Sequence, residues 1–214
     1  MDRKKHWEHV YQTRRVDEVS WFQPEATLSL ELIQRVTSSS PDSHIVDVGA
    51  GASTLVDGLI AAGYSNVTLL DLSHAALAET KSRLGDAAGK VVWREADVLT
   101  ARFDASAFDV WHDRAVFHFL TNPADRLAYV RQVRRAVRSG GHAIVATFAQ
   151  NGPTRCSGLN VARYSATELH GEFGEDFRLL NSYRETHRTP SGAAQEFTYC
   201  VCRYEPHASS RHAA

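Results

Sequence analysis

The sequence predicts an α/β protein built on a doubly wound sheet with helices on both faces. Three observations carry this expectation. Apolar strand-like runs alternate with helical patterns through the middle of the chain, and such alternation implies parallel strands joined by right-handed crossovers. Acidic residues stand at or just past the ends of four successive runs, Asp47, Asp71, Asp97 and Asp113. In an open α/β sheet all four project to the edge where ligands bind. The last third instead holds two β-rich runs, "FRLLNSYRETHRT" and "AAQEFTYCVCRYE", around the turn signal "PSG", which reads as an antiparallel pair closing one side of the sheet.

The elements follow in order. Residues 1–40 precede the first core strand. Within them Thr27–Val36 has an amphipathic helical pattern and Ser38–Ser40 reads as a linker. Ile45–Val48 is a short buried strand, and Thr54–Ala62 a helix with Leu55, Leu59 and Ile60 inward. Val67–Leu70 is the second strand. Ser73 is a good N-cap for the next helix, whose apolar face carries Leu77 and Leu84. Val91–Arg94 and Phe108–Trp111 are the third and fourth strands. "ADRLAYVRQVRRAVRSGG" is helical, with Leu127, Val130, Val133 and Val137 on one stripe and Gly140-Gly141 as its stop. His142–Phe148 is the fifth strand. Residues 41–206 thus form the domain, with a disordered tail expected over 207–214.

Composition narrows the partners. The 214 residues suit one domain, and 43% hydrophobic with 23% charged residues is ordinary for a soluble globular protein. A formal net charge of −1 gives no global field for nucleic acid or membrane. The run Arg131, Arg134, Arg135 and Arg138 reads as a solvated helix face without aromatic interleaving. No stretch approaches the roughly 18–20 apolar residues of a membrane span, and the polar N-terminus lacks a signal-peptide core. Three cysteines, an odd count, argue against a disulfide framework. Cytoplasmic localisation is the expectation. The eleven histidines offer no ligand spacing, so no metal is expected. A monomer or weak dimer is expected.

The chemistry starts at "VDVGAGAS", a glycine turn after the first strand. In a dinucleotide site a third glycine and a pyrophosphate would follow. Here Thr54 takes that place, and Asp47 is poor company for a phosphate. An acid there suits a ligand carrying positive charge, which disfavours a nicotinamide oxidoreductase.

The stretch resembles the first motif of class I S-adenosylmethionine-dependent methyltransferases. "LLDLS", with Asp71 twenty residues after Gly51, resembles their ribose-binding acid, and "READV", with Asp97, the acid near adenine. "FDVWHDRAVFHFL" resembles the fourth-strand motif, and "VRRAVRSGGHAIVAT" the helix, turn and fifth strand that follow. The resemblance spans about Ser43–Thr147. It implies a Rossmann-like fold with strand order 3-2-1-4-5-7-6, the last strand antiparallel. It further implies S-adenosylmethionine as cofactor, leaving as S-adenosylhomocysteine. Gly49, Ala50 and Gly51 would lie under the methionine part, and Asp47 would orient that turn. Asp71 would accept the ribose hydroxyls, with Leu72 against adenine. Asp97 and Val98 would face the adenine amine, and Asp113 would border the methionine amine. "HWEHVYQTRR" with Trp21 looks like the Trp-x-x-x-Tyr segment of several small members, a helical lid over 1–40. Tyr11 and Trp21 would then meet the sulfonium through cation–π contact; ordinary packing is the other reading.

The acceptor side is less defined. His118 and Asp113 are candidate catalytic residues, with His118 either a general base or a histidine packed between Phe117 and Phe119. Arg114, Phe117, Cys156, Arg163, Tyr164 and His187 are candidate substrate-binding residues. His187 either reaches the active-site edge from the last hairpin or is solvated. A small-molecule acceptor is expected. A protein lysine acceptor and a non-catalytic cofactor-binding regulator are the alternatives.

Overall fold

The computed structural model describes residues 2–207. Its core is a seven-stranded sheet made of β1 (His44–Val48), β2 (Asn66–Asp71), β3 (Val91–Glu95), β4 (Phe108–Arg114), β5 (Val137–Phe148), β8 (Phe177–Arg188) and β9 (Ala194–Tyr204). The strand order is β3-β2-β1-β4-β5-β9-β8. β1 to β5 are parallel; β9 runs antiparallel to β5, and β8 antiparallel to β9. This is the expected order and polarity.

Parity along each strand separates two apolar cores. On one face α2 (Thr27–Thr37), α3 (Leu55–Ala61) and α4 (His74–Leu84) bury Leu32, Ile33, Leu55, Leu59 and Leu77 against Ile45, Leu69, Val110 and Ile144. On the other, α5 (Pro123–Ala136) and α6 (Ala166–Phe173) bury Tyr129, Val130, Val133 and Phe173 against Val46, Val48, Trp111 and Val145. Ser73 caps α4 as expected, accepting the Ala76 N–H. All three cysteines are free and buried, Cys200 and Cys202 within the second core. No helix among the described residues is long and apolar enough to cross a membrane.

Several expectations need correction. α5 stops at Ala136, and Val137 already opens β5, so Gly140-Gly141 lies inside a strand rather than at a helix end. The pairing with β4 is irregular there, and a Cβ on Gly141 would sit against the Arg138 and Asp109 carbonyls, so the glycine serves a close backbone approach. Leu127 is 60% exposed. At 3.6 residues per turn it lies about a third of a turn off the stripe that Tyr129, Val130, Val133 and Ala136 bury. The arginine run is not simply solvated. Arg134 donates to the Phe173 carbonyl, Arg135 to the Phe103 carbonyl, and Arg138 pairs with Asp109. The loop after β5 contains an unexpected hairpin, β6 (Arg155–Cys156) and β7 (Leu159–Asn160), turned by Ser157 and Gly158 at φ 48° and 79°. His207, the expected start of the tail, donates its N–H to Asp176 at 3.2 Å. Residues 208–214 lie outside the described residues.

Candidate active site

β1 runs out into Gly49-Ala50-Gly51, with φ of +63° at Gly49 and +52° at Gly51. L side chains avoid this region, and space forbids them too. A Cβ at Gly49 would overlap Val116, and one at Gly51 the Tyr11 hydroxyl. β2 fastens the turn. The Gly49 and Ala50 N–H groups donate to the Leu70 carbonyl at 2.7 and 3.1 Å, and the Gly51 N–H donates to Asp71 Oδ2 at 2.8 Å. Asp71 Oδ1 accepts the Ser73 N–H at 2.8 Å. Burial outweighs these donors and pushes the Asp71 carboxyl up to about 6. Past β3, Asp97 accepts the Leu99 N–H at 2.9 Å and stands 3.4 Å from the Arg3 guanidinium.

The N-terminal helix α1 (Arg3–Thr13) crosses these strand ends. Lys4 reaches Glu95 at 2.5 Å. Glu8 accepts the Ser73 hydroxyl at 2.8 Å and the Ala75 N–H at 3.3 Å, so it covers the N-terminus of α4. These donors hold the Glu8 carboxyl below its ordinary value even though desolvation opposes them. Inside, Trp7 stands edge-on to Trp21 and Phe119 at 5.7 and 5.0 Å, and the Trp21 indole N–H donates to the Tyr11 hydroxyl at 3.3 Å. The result is a cleft with about 810 Å³ of empty space, counting its open mouth. Its walls include Trp7, Tyr11, Trp21, Gly49, Asp71, Leu72, Asp97, Val98, Arg114, Phe119 and Cys156. A second cavity adjoins it past Gly49, Tyr11, Trp21 and Arg114, and adds Asp47, Ala50, Ser29 and His112.

Arg114 stands where the two cavities meet. It donates to Glu185 at 3.2 Å, to the Tyr199 hydroxyl at 3.1 Å and to the Trp21 carbonyl at 3.4 Å, and lies 4.2 Å over the Phe197 ring. Gln23 donates to the other Glu185 oxygen at 3.1 Å. Asp47 lies 2.7 Å from His112 Nδ1, and His112 Nε2 lies 2.9 Å from the Ser29 hydroxyl.

The other candidates lie elsewhere. Asp113 points to the α5 face, where it accepts the Val116 and Phe117 N–H groups at 2.9 and 3.1 Å and the Tyr129 hydroxyl at 2.5 Å. It is fully buried, which pushes its carboxyl up to about 6. His118 is fully buried against Phe119 and Phe148, accepts the Phe148 N–H, and is pushed down to about 3 by desolvation and Arg114. It is a packed neutral ring outside the cleft. Phe117 and Tyr164 pack on each other in the second core. Arg163 is exposed and donates to the Gly152 carbonyl. His187 is neither solvated nor on the cleft wall. It is 5% exposed and lies 2.8 Å from the Ser20 carbonyl, bracing the chain before Trp21. Cys156 does line the cleft, with burial pushing its thiol up to about 11. Sequence reasoning missed Glu185 and Tyr199, which hold Arg114 from distant strands, and Gln23, which holds Glu185.

The comparisons with known proteins address the same region. Residues 45–141 match the family model described as a methyltransferase domain. That stretch is a methyltransferase domain of the S-adenosylmethionine-dependent kind. It is 28% identical over 131 residues to the reducing polyketide synthase Preu2 of Preussia isomera, covering 59% of the chain and 6% of that protein. It is 25% identical over 191 residues to human EEF1A lysine methyltransferase 2, covering 83% of the chain and 75% of that protein. The chain therefore spans only a small part of the synthase. Among solved structures, one concerning conversion of a disulfide bond into a thioacetal group during echinomycin biosynthesis gives a TM-score of 0.75 at 20% identity, covering 97% of this chain and 95% of that one. Burkholderia thailandensis 1,6-didemethyltoxoflavin-N1-methyltransferase, with bound 1,6-didemethyltoxoflavin and S-adenosylhomocysteine, gives 0.72 at 17% identity, covering 95% and 87%. The methyltransferase cofactor is S-adenosylmethionine, and the cleft suits it. The glycine turn leaves its backbone bare, an acid waits at the end of β2, and aromatic faces close the far wall.

Proposed function

We propose that this methyltransferase passes the methyl group of S-adenosylmethionine to a nucleophilic small molecule held under the N-terminal lid. The observation that carries this reading is the aromatic enclosure of the cleft by Trp7, Trp21 and Phe119. When bound, the cofactor supplies a methyl group already activated by its sulfonium. The chain's own task is then to align and to exclude water. Asp71 would accept the ribose hydroxyls, Leu72 and Val98 would hold adenine and Asp97 its amine. Gly49, Ala50 and Gly51 would hold the methionine part and Asp47 its ammonium. Tyr11 and Trp21 would offer aromatic faces to the sulfonium. Arg114 and Cys156 border the acceptor.

The titratable groups of the main cleft favour an acceptor that needs no base. Burial raises both Tyr11 and Cys156, and Arg114 is a cation tied to Glu185. A thiol, with an ordinary pKa of about 8.5, ionises partly by itself near neutrality; a lysine at about 10.4 must first lose a proton. That disfavours a protein lysine. The second reading, a lysine acceptor, is supported by the likeness to the human EEF1A lysine methyltransferase.

A screen with methyl-labelled cofactor separates the two. Panels of small thiols, carboxylates and amines are run beside lysate protein depleted of small molecules. Label in the small-molecule panel is the expected result. Label confined to protein overturns the small-molecule reading. Absence of S-adenosylhomocysteine binding by calorimetry overturns both.

A further inference from the structure

We infer that His112 is a positioning residue for the methionine end of the cofactor, acting through Asp47. This rests on the methyltransferase reading above. Asp47 and His112 are register partners on the adjacent parallel strands β1 and β4, so both side chains leave the same face. They are almost fully withdrawn from solvent, with side chains 4% and 3% exposed. Both stand on the wall of the second cavity beside Gly49 and Ala50.

The protons can be counted along the chain of hydrogen bonds. Arg114 Nε–H donates to the Tyr199 hydroxyl oxygen at 3.1 Å, and Tyr199 passes its own proton to Glu185 at 3.2 Å. Ser29 stands further from Tyr199, at 3.4 Å, and nearer to His112 Nε2, at 2.9 Å. Its hydroxyl proton therefore goes to Nε2. That leaves the ring's one proton on Nδ1, donated to Asp47 Oδ1 at 2.7 Å. One Asp47 oxygen is fixed by this bond, and the other stands at the cavity wall without a hydrogen bond among the described residues. A carboxylate held this way is pre-oriented for an ammonium.

The groups around the pair are Ser29 from α2, Asp71 from β2, Tyr199 from β9, Glu185 from β8, and Asp113 and Arg114 from β4 itself. Among these, the Arg114–Glu185 pair brings little net charge.

The test uses the full chain and S-adenosylhomocysteine as the probe. Calorimetry is run on the unaltered protein and on His112→Ala, His112→Asn and Ser29→Ala. His112→Ala is expected to weaken binding about tenfold. His112→Asn, which can still donate to Asp47, restores most of it, and KM for the acceptor moves little. In parallel, nitrogen NMR of the ring in the unliganded protein is expected to report the neutral Nδ1–H tautomer. Unchanged affinity in both His112→Ala and Ser29→Ala, or an Nε2–H tautomer, overturns this assignment alone. No binding by the unaltered protein overturns the methyltransferase reading and this assignment with it. Should His112→Ala fail to fold, Ser29→Ala and the NMR tautomer still decide the matter.

Discussion

Tyr129 donates its hydroxyl proton to Asp113 across 2.5 Å, on the face of the sheet opposite the Asp47–His112 pair. The Trp111 indole donates to the same hydroxyl at 2.8 Å. Tyr129→Phe leaves a buried carboxylate and a buried indole N–H each short of a partner. The expected cost is about 1–3 kcal/mol in urea unfolding. Affinity for S-adenosylhomocysteine should stay within about twofold, since neither residue lines the cleft. A tenfold loss of affinity without loss of stability would move Asp113 back to the cofactor.

Asp71 does two things at once. It ties the glycine turn through the Gly51 N–H, and on the proposed reading it would also accept the ribose hydroxyls. Asp71→Ala removes both, and calorimetry should find S-adenosylhomocysteine bound at least tenfold more weakly. Unchanged affinity would sink the ribose assignment.

α1 is held by Glu8 at the start of α4, and on the proposed reading it is the lid. Glu8→Ala exposes the Ser73 hydroxyl and the Ala75 N–H and should cost about 1 kcal/mol of lid docking, as loss of a helix cap does. Hydrogen exchange is the direct reading. Amides of residues 3–13 should exchange several-fold faster, those of β1 and β4 unchanged. Equal protection in both proteins would show that the aromatic contacts alone hold the lid.

His118 should make stability fall with acid. Its folded value, about 3, lies below the unfolded value of 6.5, because the ring is buried without water. The stability it contributes is fully present above pH 6.5 and is lost as pH falls toward 3. By pH 5 the loss is about 2 kcal/mol. Asp71 and Asp113 act oppositely. Both are raised to about 6, so their contribution is full below about 3.8 and is lost as pH rises through 6. In the unaltered protein the two carboxyls therefore offset the His118 loss between pH 7.5 and pH 5. The difference in unfolding free energy between it and His118→Leu should shrink by about 2 kcal/mol from pH 7.5 to pH 5. A constant difference would contradict the burial of a neutral ring.

The glycine turn and the acids at the strand ends were readable from local pattern, because each is set by a few neighbouring residues; the strand order came only with the family resemblance. The side to which each strand-end acid points was also there, in the alternation of "VWHDR". Val110, His112 and Arg114 share one face, Trp111 and Asp113 the other. Reading the acids as one set along an edge hid that parity and assigned Asp113 to the ligand. The partners of Arg114 were beyond reach. Glu185, Tyr199 and Trp21 come together only through the order of strands and the path of the lid. The Ser157-Gly158 hairpin carried a signal that was overlooked, a serine and a glycine able to take positive φ.

The placement of β9 bears on how the site comes into being during synthesis. β9 lies between β5 and β8, although β8 precedes it in the chain. Until β9 inserts, β8 has no sheet to join, and Glu185 and His187 have nowhere fixed to stand. Those two residues hold Arg114 and the Ser20 carbonyl. A ribosome that has released residues 1–180 has made the glycine turn and all four strand-end acids. The Arg114 end of the cleft waits for the strand that follows; on the proposed reading, cofactor recognition can then precede acceptor recognition in the growing chain.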